Sequence, residues 1–450
     1  MFDLKKKGTT ARREMWAGVT TFMTMSYIIA VNPLILGDAG MPRDGVMMAT
    51  CLAAALGCFL MAFQTNYPFA LAPGMGLNAF FAYSVVVGMG ISWQGALAAV
   101  FISGLLFVVL TLTRAREEIV RAIPLNLKYA IGVGIGFFIA LIGLKNAGII
   151  VHNPGTGSLG LVSGRYFTDP SLQGLMPPGS TPRSVGLAVF GLLVTGGLAA
   201  LKVRGALLWG IGVTTLAGIP LGVVAGTGEG LSVSTFVGMP SGLGETFLAM
   251  DFGEVLDYGL VTVVLTFTFV DLFDTAGTLV GVAGKADMLD ETGNLPRVRG
   301  ALLADSLATV AGAALGTSTT TTYVESAAGV AEGGRTGLTA VTVGSLFLLA
   351  LFFTPLVACV PAVATAPVLV IVGVFMMEPV TRIDFGDFRE AIPAFLTIAI
   401  MPLAFSISEG IAVGILAHTF LRALSGSARR KVGVTLWILS AVFALRYLIQ

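Results

Sequence analysis

Charge is scarce in this chain of 450 residues: only 11% are Asp, Glu, Lys or Arg, whereas soluble domains carry about a quarter. So few charges could not cover a water-facing surface of this size, and lipid is the solvent that tolerates such a composition. The net charge is +1, so no global field exists to hold a polyanion, and nucleic acid is excluded as a partner. Cysteine is rare as well. Cys51, Cys58 and Cys359 stand singly in apolar stretches, without the spacing of a metal site or a disulfide framework, and read as small core residues. Histidine occurs twice, at His152 and His418. A Walker-type phosphate loop and a soluble nucleotide-binding domain are both missing, which removes ATP-driven pumping. Neither a metal nor a cofactor is expected.

What fills the chain is apolar. Hydrophobic residues make up 55% of it, and the mean hydropathy is +0.90. Its 58 glycines and 19 prolines are too many for plain straight spans and point to close helix packing and broken helices. Stretches of membrane length fall near 15–36, 45–64, 67–88, 94–113, 126–147, 184–202, 205–225, 256–283, 299–316, 319–333, 336–357, 362–379, 389–407 and 409–424. They predict an all-α polytopic membrane protein of about fourteen crossings at ~20 residues each. A further apolar segment, 432–449, follows Arg429, Arg430 and Lys431. The basic N-terminus (Lys5, Lys6, Lys7, Arg12, Arg13) reads as the cytoplasmic flank of a first span, because no small-residue cleavage site follows it.

The basic residues test this map. With the N-terminus inside, the inner connections hold Arg114, Arg116, Arg121, Lys202, Arg204, Lys285, Arg297, Arg299, Arg335, Arg382, Arg389 and Arg422. The outer ones hold only Arg43, Lys145, Arg165 and Arg183. That asymmetry is the positive-inside bias of a plasma or inner membrane protein.

Polar chemistry within the spans is concentrated in three places. Asp271, Asp274 and Thr278 lie three and four residues apart in the eighth span and share one helix face. Two carboxylates so placed repel when both are ionised, so one is expected to hold a proton; a pair of polar residues joining helices is the structural alternative. In the tenth span, the run Thr317 to Thr322 suits an extended segment, and Glu325 falls near the start of a half-helix at Val324–Glu332. In the third span Pro73, Gly74 and Gly76 interrupt the helix, with Asn78 at the opening of the half-helix that follows. Two interrupted spans at matching positions of two halves are the best sequence pointer to a transporter site. Asp305 stands in the ninth span and could face either Arg299 or the threonine run.

The runs FALAPGMGLNAFF at 69–81, FVDLFDTAGTL at 269–279 and TTTTYVESAAGVAEGGRTGLTA at 319–340 carry a resemblance. In them the chain is similar to AzgA-like purine permeases, the hypoxanthine/guanine/adenine branch of the nucleobase–ascorbate transporter superfamily. The likeness spans nearly the whole chain, from Tyr27–Leu36 to Pro393–Gly410. It implies a 7+7 inverted repeat with a core domain (15–113 and 256–357), a gate domain (126–225 and 362–424) and the extra segment 432–449. It also implies a purine held between the half-helices of spans three and ten and facing span eight. The family's acidic positions map onto Asp271, Asp274 and Glu325, and its amide onto Asn78, with Gly76 beside it. Relatives that carry uracil or xanthine place a histidine on span eight; Thr278 stands there here, which leaves proton coupling to Asp274 and Asp271. A homodimer through the gate domains is a further implication.

A purine fits these side chains chemically. Its ring N–H groups can donate to carboxylates, an amide can both donate and accept, and Phe80, Phe81 and Tyr323 offer faces for stacking, although such aromatics also serve plain packing. The expected function is therefore import of purine nucleobases by proton symport, with alternating access between core and gate. An anion transporter or channel on the same scaffold is the alternative, and it expects a basic or uncharged residue where Glu325 stands. An intramembrane enzyme would need a catalytic pair at matched depth. The Asp-Thr-Ala-Gly run at 274–277 has a superficial likeness to the motifs of aspartic proteases and phosphorylated pumps. The first needs a second protease lobe and the second a nucleotide domain, and this chain has neither.

Overall fold

A computed structural model describes residues 2–113, 124–177, 180–223, 237–254, 260–285, 288, 295–424 and 433–449, apart from certain side chains along 260–285 and 433–449. Every apolar stretch read from the sequence carries helix. In chain order these are α1 (Ala11–Met25), α2 (Ile28–Asp38), α3 (Arg43–Thr65), α4 (Met75–Gly88), α5 (Trp93–Leu112), α6 (Leu125–Asn146), α7 (Pro182–Ala200) and α8 (Ala206–Gly218). The second half continues with α9 (Leu260–Lys285), α10 (Val298–Leu315), α11 (Ser326–Ala331), α12 (Gly337–Ala350), α13 (Ala362–Met376), α14 (Phe388–Leu403), α15 (Ile407–Leu424) and α16 (Val434–Ile449). Among the described residues nine helical segments are long and apolar enough to cross a membrane; one of them joins α1 and α2 across a break at Ser26 and Tyr27.

The helices sort into two bundles. In the first, α3 packs on α10 and α12, α5 on α9 and α10, and α1 on α12. In the second, α6 packs on α13, α14 and α15, while α13 also contacts α7 and α8. These contacts come in matched sets. The α3–α12 contact has its counterpart in α10–α5, α1–α12 in α9–α5, and α7–α13 in α14–α6, each shifted by half the chain. Packing of this kind is what two inverted copies of one seven-segment unit produce. At the centre of the second bundle Gly136 of α6 and Gly373 of α13 face one another, and a β-carbon on either would collide with the other's carbonyl oxygen. Small residues permit that approach of backbones.

The two interrupted spans meet in the first bundle. Leu71–Pro73 (β1) pairs antiparallel with Thr320–Thr322 (β2), in the register Leu71 to Thr322, Ala72 to Thr321 and Pro73 to Thr320. Local chemistry explains both strands. A residue before proline is pushed out of the helical region, and successive β-branched threonines favour extended backbone. All six residues are buried. Breaking a helix inside a membrane leaves backbone N–H and C=O groups that cost several kcal/mol each if unmet. Here each break supplies partners for the other. The ladder runs on at both ends, with Gly74 N–H donating to Thr319 O at 2.9 Å and Tyr323 N–H to Ala70 O at 2.9 Å. Equivalent segments related by a two-fold axis in the membrane plane must run antiparallel, as these do.

The half-helix after β2 is shorter than the sequence suggests. It covers Ser326–Ala331 rather than Val324–Glu332, and Glu325 occupies its N-cap. Tyr323 to Glu325 is used up in the turn from strand to helix. In α4 the first turn is α-helical and Phe80–Gly88 is a π-helix, a form common at functional sites. Of the long connections, 148–183 carries a hairpin of Ile150–Asn153 (β3) with Ser158–Leu161 (β4), while part of 226–255 lies outside the described residues.

Candidate functional site

The strand pair brings the sequence-marked residues together. Asn78, one turn into α4, is fully buried and accepts a short hydrogen bond at Oδ1 from the Ser318 hydroxyl of the opposite interrupted span. Its own N–H is held by Gly74 O at 2.8 Å. Glu325 is half-buried at the mouth of α11, where its Oε1 accepts a 2.9 Å hydrogen bond from the phenol of Tyr27. Tyr27 sits at the break between α1 and α2, so three discontinuous segments converge on one region.

Asp271 of α9 is fully buried. The Thr275 hydroxyl, one turn later, lies 3.2 Å from Asp271 Oδ1, 3.0 Å from Asp305 Oδ2 on α10 and 2.9 Å from the Thr321 hydroxyl of β2. A hydroxyl has one proton to give, so it serves one carboxylate at a time while accepting from Thr321. Two acids on neighbouring helices are thereby gathered at one point beside the ladder. The described partner of Asp305 is Thr275, which in turn meets Thr321 of the threonine run; Arg299 donates through Nε to Thr111 O at 3.3 Å. The side chain of Asp274, the other expected acid, lies outside the described residues.

The remaining expected residues pack close by. Phe80 is fully buried and meets Phe267 of α9 edge-on, with centroids 4.9 Å apart at 73°. Phe81 lies 6.4 Å from the same ring. Tyr323 is buried and its hydroxyl donates to Pro73 O at 2.5 Å, closing the strand pair from the side. Gly76 faces α6: a β-carbon there would stand 2.6 Å from Ile135 Cγ2. Its lack of a side chain is thus what lets the half-helix of the first bundle touch the second.

Sequence reasoning missed Thr275, Tyr27, Ser318 and Phe267. Thr275 had a signal, since it follows Asp271 by four residues and so shares its face. Tyr27 and Ser318 act across the fold; the hydroxyl run marks the segment that holds Ser318 but not its partner, and nothing in local spacing marks Tyr27.

Among the described residues no group of acids, histidines and cysteines could hold a metal ion. The described side chains form instead a small set of acceptors and amide groups beside aromatic rings where the half-helices meet.

The sequence signature of the Permease family matches residues 12–413. The guanine/hypoxanthine permease PbuO of Bacillus subtilis is 44% identical over 454 residues, covering 100% of this chain and 99% of that one. The adenine permease AdeP of Escherichia coli is 43% identical over 429 residues, covering 95% and 91%. Among solved structures, the transmembrane domain of the cyanobacterial bicarbonate transporter BicA superposes with a TM-score of 0.63 over 90% of this chain and 97% of that one. At 15% identity that likeness shows the fold, a 7+7 inverted repeat, and not the cargo. The chain belongs to the Permease family, in the AzgA-like branch of the nucleobase–ascorbate transporters.

Proposed function

We propose that the protein imports purine nucleobases, guanine and hypoxanthine with adenine as a further cargo, in symport with protons across the inner (plasma) membrane. The reading takes the N-terminus as cytoplasmic and the chain as about fourteen crossings. A core of 15–113 and 256–357 moves against a gate of 126–225 and 362–424, and 432–449 stands as an added C-terminal segment. The gates of two copies form a homodimer within the lipid bilayer.

In this reading the purine lies between the half-helices that follow β1 and β2. Asn78, Asp271 and Glu325 address its polar edges, Phe80 and Tyr323 its faces, and Gly76 sets the distance to the gate. Asp274, with Asp271, takes the proton. The observation that carries the proposal is the buried strand pair, from which lead off one half-helix bearing a buried amide and another with a carboxylate at its N-cap. The names of PbuO and AdeP support purine cargo. Glu325 disfavours the anion-carrier alternative, because a carboxylate at that mouth repels an anion.

Uptake of radiolabelled hypoxanthine into a permease-deficient cell, with and without a proton uncoupler, tests it. Saturable uptake that the uncoupler abolishes supports symport. Saturable uptake indifferent to the uncoupler removes the proton, and absence of uptake with competence for bicarbonate restores the anion alternative.

A further inference from the structure

We infer that Ser318 is a positioning residue of the purine site: its hydroxyl fixes the Asn78 amide so that the base is read at a hydrogen-bond acceptor. The inference rests on the proposed assignment of Asn78 to that site.

Both side chains are fully buried, and the only hydrogen bond of the Asn78 side chain among the described residues is the one Ser318 donates to Oδ1. Nδ2 is left with no partner there. A half-turn of the amide would bring Nδ2 to Ser318 as a donor. The serine proton would then lose its acceptor and Oδ1 would be orphaned as well, giving two unmet buried groups in place of one. Each such group costs about 1–3 kcal/mol, so the observed orientation is the favoured one. The backbone holds both residues in register through Gly74, whose N–H donates to Thr319 O at 2.9 Å and whose carbonyl accepts from Asn78 N–H at 2.8 Å. Serine and amide therefore meet at a fixed junction of the two interrupted spans.

Ser318 takes one of the two lone pairs of Oδ1, while Nδ2 has no partner, so the unanswered groups that Asn78 offers the cargo are its N–H donors. Their counterpart on the cargo must be a lone pair: O6, N3 or N7 of an oxopurine. The amide would satisfy its own buried donor only when such an atom arrives, which makes that contact a selectivity element.

The test measures competition for hypoxanthine uptake by hypoxanthine, 3-deazahypoxanthine, 7-deazahypoxanthine and 6-mercaptopurine, each analogue altering one acceptor. In the parent protein, at least one analogue should bind about tenfold more weakly, the loss of a single buried hydrogen bond. In Ser318→Ala the same ratio should fall to about twofold, because the amide can turn. Ser318→Thr, which keeps the hydroxyl, should restore it. Equal competition by all four compounds in the parent overturns the inference whatever the variants do. So does an undiminished ratio in Ser318→Ala, which would make the serine purely structural. A parent that takes up no purine overturns the purine reading itself, and this inference falls with it.

Discussion

The phenol of Tyr27 and the carboxylate of Glu325 are joined by a 2.9 Å hydrogen bond across 298 residues of sequence. It links a break in the first span to the cap of a half-helix in the tenth. Glu325→Ala should abolish purine uptake while the protein still reaches the membrane, since the residue caps α11 without a side-chain bond to its backbone. Transport assayed beside quantified membrane protein checks this. Normal saturable uptake by a well-expressed variant would take Glu325 out of the site.

Asn78→Leu should weaken purine binding by ~10- to 100-fold, the equivalent of leaving one buried polar group unmet at roughly 1–3 kcal/mol. Direct binding to purified protein in detergent is the measurement. A dissociation constant within about twofold of the parent would count against the assignment.

Thr275 ties two acids and a strand with one hydroxyl. Thr275→Val keeps the shape and removes that donor, so it should lower stability by about 1–3 kcal/mol and depress uptake, whereas Thr275→Ser should resemble the parent. Thermal denaturation of the purified proteins reads the first effect. Parent-like melting of the valine variant would mean that Asp271 and Asp305 do not depend on the hydroxyl.

In the proposed cycle proton coupling rests on Asp271 and Asp274. Asparagine at either position imitates the protonated acid permanently. One of Asp271→Asn and Asp274→Asn should still bind purine and carry out exchange but fail to concentrate it. Counterflow and pH-gradient-driven uptake in proteoliposomes separate these activities. If both variants still concentrate purine in response to the gradient, the coupling group lies elsewhere and Glu325 is next to test.

The interruptions are legible because they are written in local chemistry. Pro73 followed at once by Gly74 disfavours helix at that point, and six hydroxyl-bearing residues in a row at 317–322, five of them threonine, cannot open one well. Their equivalent places in two halves point directly to Asn78 and Glu325. What is not legible is how they are partnered. Asp271 has a candidate neighbour three residues away in Asp274, yet the described contact runs to Thr275 and through it to Asp305 on another helix. Phe80 could have faced open space or another ring, and it faces Phe267. Buried Glu14 shows the same limit. Its carboxylate accepts from the backbone N–H groups of Arg335 and Thr336, at 2.9 and 3.1 Å, where α12 begins, a contact that no local pattern marks. Periodicity reports which face a residue occupies; it carries nothing about what the rest of the chain brings to that face.

The β1–β2 ladder also sets a schedule for biogenesis. Leu71–Pro73 enters the membrane early, but its partner Thr320–Thr322 is made about 250 residues later, which at 5–20 residues per second is roughly 12–50 s of synthesis. For that interval the nascent first half holds a bare strand edge at membrane depth, where no water can satisfy it. The ribosome-bound intermediate therefore needs shelter from the insertion machinery or from a neighbouring chain. A ribosome pause between the halves lengthens that exposure, and a chain severed in the central connection has a route to function only if both pieces are made together and find each other in the bilayer.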